Sequence, residues 1–267
     1  MEAGFLQGAR GQLFYVLHPP VRAQLRGSVL YVHPFAEELN KSRRMVALQA
    51  RRLAGMGFAV MIPDLHGCGD SLGDFGDARW DLWMEDLDRC LDWLLHRYSE
   101  PVIPWGLRLG CVLVGDWLGI RGIRPAATLY WQPVSRGELF LTQFLRLRMA
   151  AGMMGGNKET TSLLRSRLDA GETLEVAGYS LSPELAATIA TARLAPPPAG
   201  PLHWLEVVMG DAAELPPASQ RIVETWRQGG VTVNAAAVSG EPFWISQEIV
   251  EVPALLDVTA EHLAASL

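Results

Sequence analysis

Apolar and polar positions change period repeatedly along this chain. Residues 11–17 and 28–32 are short β-rich runs and predict strands. A helix follows to about Gly55, with Asn40 or Ser42 as its cap and Val46, Ala50 and Leu53 on one face. Residues 58–62 read as an apolar strand, and 63–76, rich in Gly and Asp, as a loop. Trp80–Arg97 has a clear helical period that places Trp83, Leu87, Cys90, Leu91 and Leu94 together. Strands at 101–105 and 126–131 enclose a helix at 109–118. The pattern breaks at 135–192, which is mostly helical but irregular, with a Gly-Gly pair at 155–156 and a Pro-rich close at 195–201. It resumes as strand Leu202–Val208, helix Pro217–Gln228, a strand at 231–238 and a last helix from about Pro253. Strands alternating with helices predict an α/β fold, a mostly parallel central sheet with helices on both faces. The core comprises 1–134 and 199–267. The helical lid insertion, 135–198, follows the fifth or sixth strand, over the carboxyl ends where such sheets bind ligands.

Composition narrows the function classes. Of 267 residues, 49% are hydrophobic and 19% charged, which excludes a disordered chain. A net charge of −6 argues against nucleic-acid binding through a basic surface. The three cysteines, Cys68, Cys90 and Cys111, form no CxxC pair, so a reduced, cytoplasmic protein without structural zinc is expected. No basic stretch followed by an apolar run opens the sequence, and no window reaches the roughly 18–20 uncharged apolar residues of a membrane span. HExxH, Walker loops and metal-spaced clusters are absent from the sequence, so no metal or cofactor is expected.

Three segments carry candidate chemistry. Tyr31-Val32-His33-Pro34-Phe35 is a strand end plus turn. Pro63-Asp64-Leu65-His66-Gly67-Cys68-Gly69-Asp70-Ser71 is the turn after the next strand. Gly106-Leu107-Arg108-Leu109-Gly110 lies between a strand and a helix, with small residues at both ends as a tight elbow requires. Their order and intervals resemble an α/β-hydrolase, with the oxyanion-hole backbone at Phe35 and Leu109 and the nucleophile position at Arg108. A guanidinium stays protonated and cannot act as a nucleophile. The loop after the last strand, Ser239-Gly240-Glu241-Pro242-Phe243-Trp244, holds no His to serve as a base. Only the acid has candidates, Asp211 and Glu214. The standard Ser-His-acid mechanism is therefore expected to be absent.

The run His33-Pro34-Phe35-Ala36-Glu37-Glu38-Leu39-Asn40-Lys41-Ser42-Arg43-Arg44-Met45, with Asp64–Ser71 and Trp83-Met84-Glu85-Asp86-Leu87, resembles the exosortase A system-associated hydrolases. The elbow and Gly240-Glu241-Pro242-Phe243-Trp244 are more similar to the second kind of that family. The resemblance implies an α/β-hydrolase fold and a place beside PEP-CTERM protein sorting and exopolysaccharide export. Three functions follow as alternatives: a ligand-binding or accessory protein; a hydrolase or acyl transferase using non-standard residues around His33, Glu37, Arg108 and Glu241; or a structural partner of a paralogous hydrolase that keeps Ser at the elbow.

Individual residues carry two readings each. His33 either polarises a ligand or is a turn histidine bonded to backbone. Glu37 and Glu38 could pair with Arg108 or act as acid and base, one facing the pocket and the other solvated. Cys111, in the first helical turn, reads as a buried inert thiol and Cys68 as a more exposed one. Ser71 reads as a turn cap. Trp105, Trp131, Trp204 and Trp244 either line a pocket or pack the core. Arg108 faces a helix N-terminus that disfavours a cation by about 0.3–1 kcal/mol. It needs a carboxylate such as Glu37 or Glu241, or an anionic ligand. An anionic or acyl small molecule is the expected occupant.

Overall fold

The computed structural model describes residues 1–22, 24–98, 101–154, 159–210 and 213–266. Its strands are β1 Glu2–Gln7, β2 Gln12–His18, β3 Gly27–Val32, β4 Phe58–Pro63, β5 Val102–Leu107, β6 Thr128–Trp131, β7 Leu174–Val176, β8 Tyr179–Leu181, β9 Leu202–Val208 and β10 Val233–Ser239. Its helices are α1 Glu37–Gly55, α2 Trp80–Arg97, α3 Leu109–Arg121, α4 Gly137–Met154, α5 Thr161–Asp169, α6 Pro183–Thr191, α7 Pro217–Gln228 and α8 Pro253–Ser266. Eight strands form one sheet in the order β1-β2-β4-β3-β5-β6-β9-β10. Every pair from β4 onward is parallel, while β2 runs antiparallel to both β1 and β4.

The buried strands divide their side chains between two cores, as the two-residue period requires. Val29, Tyr31, Ile103, Trp105 and Leu107 face α1 and α8. Leu30, Val32, Tyr130 and Trp204 face α2, α3 and α7. Between β6 and β9 the chain runs through α4, α5, the separate β7–β8 hairpin and α6. Phe140, Phe144, Leu164, Leu174 and Ile189 of this stretch join the second of those cores.

Three local expectations change. β1 was not foreseen, because it is an edge strand, largely exposed and interrupted by Gly4, so its alternation is weak. α1 starts before Asn40 and Ser42, and its N-cap is Ala36, without a side-chain cap. Glu37 and Glu38 in its first turn interact favourably with the helix dipole instead. The stretch after β6 also contains a hairpin, whose turn residues Ala177 and Gly178 have φ of 50° and 84°, as tight hairpin turns demand. The Gly-Gly pair at 155–156 lies outside the described residues.

Candidate functional site at the strand-to-helix elbow

β5 ends at Leu107 and α3 begins at Leu109, so the whole turn is carried by Arg108, with φ 56° and ψ −118°. A non-glycine residue held at positive φ costs about 1–3 kcal/mol. Its N–H donates to the Trp131 carbonyl at 3.0 Å, and its carbonyl accepts from Cys111 N–H at 3.1 Å. Gly106 and Gly110 permit the bend. A Cβ on Gly106 would lie 2.7 Å from Cys111 Cα, and one on Gly110 would meet the carbonyls of Val32 and His33. The helix therefore packs directly on the ends of β3 and β5.

The Arg108 side chain is held in place by contacts from three elements. Its Nε donates to Glu38 Oε1 at 3.2 Å. Its guanidinium carbon lies 5.4 Å from the Trp244 ring centroid and 5.9 Å from that of Phe140, within cation–π range. Glu38 is only 6% exposed, and its Oε2 has no partner. Burial outweighs the attraction of Arg108 and pushes this carboxyl up to about 7. Glu37 is half-buried with an unpartnered Oε2, and burial raises its pKa too. Both carboxylates line a cavity of about 170 Å³ with Phe35, Arg108, Phe144 and Trp244. The expectation that one of the two would be solvated is corrected: the first turn of α1 lies against the elbow, so both turn inward.

A second cavity, of about 190 Å³, lies on the other side of Arg108. It is lined by Ser135 and Arg136 ahead of α4, with Arg108, Phe140 and Gln143 shared with the first. Beyond it is a buried network that sequence reasoning missed. Glu206, 3% exposed, accepts from Trp204 Nε1 at 2.6 Å and Gln132 Nε2 at 3.4 Å. Gln132, at φ 46°, also accepts from Val207 N–H at 2.8 Å. A carboxylate flanked by apolar residues in β9 was the available signal, because a buried charge needs partners.

The other candidates fall into place around this centre. His33 is buried, its Nδ1 donating to the Pro34 carbonyl at 2.8 Å and its Nε2 accepting from Leu65 N–H at 3.3 Å. Both ring nitrogens are thus used by backbone, and burial lowers the pKa. Phe35 and Leu109 line one small cavity beside the elbow. Glu241 is exposed, and of the three candidate carboxylates for Arg108 it is Glu38 that pairs, not Glu37 or Glu241. Glu214 is exposed, and Asp211 lies outside the described residues. Cys111 is fully buried and its pKa is raised by burial. Cys68 is buried as well, contrary to the expected exposure, because its loop folds back over Leu65, with Cys68 N–H bonded to the Leu65 carbonyl. Ser71 Oγ accepts from Phe14 N–H at 2.8 Å and is a backbone tie. Trp105, Trp131 and Trp204 are core residues; only Trp244 of the four reaches the cavity. Among the described residues, no three His, Cys, Asp or Glu side chains gather as a metal site, and no helix is long and apolar enough to cross a membrane.

No protein-family model and no curated protein matches the sequence. Solved structures match over the full length. Ferulic-acid-bound Est1E from Butyrivibrio proteoclasticus is 15% identical, with a TM-score of 0.67 over 98% of this chain and 97% of that one. A highly thermostable carboxyl esterase from Bacillus coagulans is 14% identical, TM-score 0.66, over 99% and 96%. An alpha-beta serine hydrolase homologue from Coxiella burnetii is 15% identical, TM-score 0.58, over 100% and 97%. With the strand order above, these likenesses give the chain the α/β-hydrolase fold.

Proposed function

We propose that this α/β-hydrolase-fold chain has lost the serine mechanism and acts as a ligand-binding or accessory protein. The observation that carries the reading is the elbow itself. The nucleophile position holds a guanidinium that cannot be deprotonated, tied to Glu38 and covered by Trp244. Trp244 belongs to the loop after β10, from which the triad histidine of this fold reaches the elbow. On this reading residues 135–198 act as the lid over the two cavities, and Phe35 with Leu109 keeps the oxyanion-hole geometry without a reaction to serve. The sequence resemblance supports a role in an exosortase A-linked export or polysaccharide pathway, and a structural partnership with a paralogous Ser-bearing hydrolase is a separate alternative.

The test is a panel of short ester, amide and thioester substrates together with a serine-directed fluorophosphonate probe. No turnover and no labelling are expected. Fluorophosphonate-sensitive turnover by the wild type would overturn the reading. Co-purification with the paralogue tests the structural-partner alternative separately.

A second reading, a hydrolase or acyl transferase using non-standard groups, is favoured by one observation. The Glu38 carboxyl, pushed up to about 7, is poised as a general base near neutral pH. It requires turnover that resists fluorophosphonate and disappears in Glu38→Gln.

A further inference from the structure

The two cavities on either side of Arg108 have opposite chemistry. The first holds Glu37 and Glu38 among the rings of Phe35, Phe144 and Trp244. Carboxylates beside aromatic faces are the surroundings that recognise an ammonium group. Each of these carboxylates has an unpartnered Oε2, and Glu38 is 6% exposed. The second cavity has no carboxylate in its lining, which includes Arg108, Ser135 and, at its exposed edge, Arg136. α4 begins one residue later, at Gly137, but the Gly137 N–H is taken by the Ala192 carbonyl and the Phe140 N–H by the Arg136 carbonyl, so the positive charge here comes from the two arginines. Arg108, Phe140 and Gln143 line both cavities, so they adjoin across this ridge.

Either charge alone fits poorly. A lone anion meets an Arg108 already neutralised by Glu38 and leaves the first cavity unmatched. A lone cation in the first cavity sits beside the Arg108 guanidinium without an anion of its own to offset it. Resting on the ligand-binding reading above, we propose that the two cavities form one site for a small zwitterion. Its anionic group lies between Arg108, Arg136 and Ser135, and its ammonium group lies between Glu37, Phe144 and Trp244. Each end then finds charge-assisted partners, worth about tenfold or more in affinity apiece.

Calorimetric titration of the full chain at pH 8 with phosphorylcholine, methyl phosphate and choline separates the outcomes. Phosphorylcholine is expected to bind at least tenfold more tightly than either fragment. Arg136→Ala should weaken phosphorylcholine and methyl phosphate about tenfold and leave choline unchanged. Glu37→Gln should weaken phosphorylcholine and choline and leave methyl phosphate unchanged. Methyl phosphate binding as tightly as phosphorylcholine, indifference to Glu37→Gln, or no binding of any of the three overturns the zwitterion site. A fatty-acid carboxylate that binds where all three probes fail would overturn this proposal and leave the ligand-binding reading standing. Fluorophosphonate-sensitive turnover would overturn that reading whatever phosphorylcholine does.

Discussion

Arg108 occupies a strained backbone position, faces a helix N-terminus and still sits over a buried carboxylate. Its removal should therefore be felt through Glu38. Arg108→Met strands a buried charge at pH 8, at a cost of about 3 kcal/mol. The sign of the pH effect follows from Glu38, whose folded-state pKa of about 7 lies above the ordinary glutamate value of 4.5. Stability from its protonation is complete below 4.5 and is lost as pH rises through about 7. The penalty of Arg108→Met should thus be smaller at pH 5.5 than at pH 8, read by urea denaturation at both; an equal loss would show that Glu38 is not the stranded group. Replacing both members, Arg108→Met with Glu38→Leu, should return to within about 1 kcal/mol of the wild type. Arg108→Ser should show no esterase activity above the wild type. The new hydroxyl would lie under Trp244 with no histidine base, and losing the base of a working triad already removes about 10⁶ in kcat.

At the scale of elements, the elbow is a close approach between α3 and the ends of β3 and β5. Two glycines of α3 provide an internal comparison. Gly110→Ala drives a Cβ into the Val32 and His33 carbonyls and should destabilise by about 1–3 kcal/mol. Gly119→Ala, whose Cβ meets nothing within 4 Å, should stabilise by about 0.8–1 kcal/mol through helix propensity. Thermal melts of the pair check both signs. α4 is attached to the turn after β3 by edge-to-face contacts of Phe35 with Phe140 at 5.7 Å and Phe144 at 5.0 Å. Phe35→Ala should speed hydrogen exchange in α4 while α3 stays protected; uniform acceleration of both would show global rather than local loosening. On the opposite side an aromatic series, Trp105–Trp131–Phe243–Trp244, has centroids 4.6, 6.1 and 5.1 Å apart. It anchors the loop after β10 and sets Trp244 over Arg108.

For the whole molecule, α8 packs back onto β9 and β10 and closes that end of the sheet. His203 of β9 meets His262 of α8 at 3.3 Å between their Nδ1 atoms, and its Nε2 lies 3.0 Å from Ser266 Oγ. Burial first, and the neighbouring His262 second, lower His203 to about 4 from the ordinary histidine value of 6.5. The folded state therefore resists protonation there, and stability falls as pH drops from about 6.5 towards 4. Glu38 acts with the opposite sign in much of the same window. His203→Asn should flatten the acid-side decline, whereas Glu38→Gln should steepen it, measured as denaturation midpoints from pH 4.5 to 8. Identical profiles for the two variants would contradict both assignments.

How much was legible in the sequence differs between these scales. Local signals sufficed for the α/β-hydrolase fold, for α2, α7 and β9 with their observed ends, and for the elbow, because side-chain period and glycine spacing act over a few residues. The absence of an elbow Ser and of a histidine in the loop between β10 and α8 is likewise a property of the sequence. The partner of Arg108 was not. Glu37, Glu38 and Glu241 are chemically equivalent in one dimension, and only the start of α1 at Glu37, set by packing against the elbow, selects Glu38. The burial of Cys68, the bonding of both His33 nitrogens by backbone and the Gln132–Glu206 network also depend on segments distant in the chain. Burial and charge pairing are set by neighbours that only the folded sheet brings together, so the chemistry of the site was decided by tertiary structure.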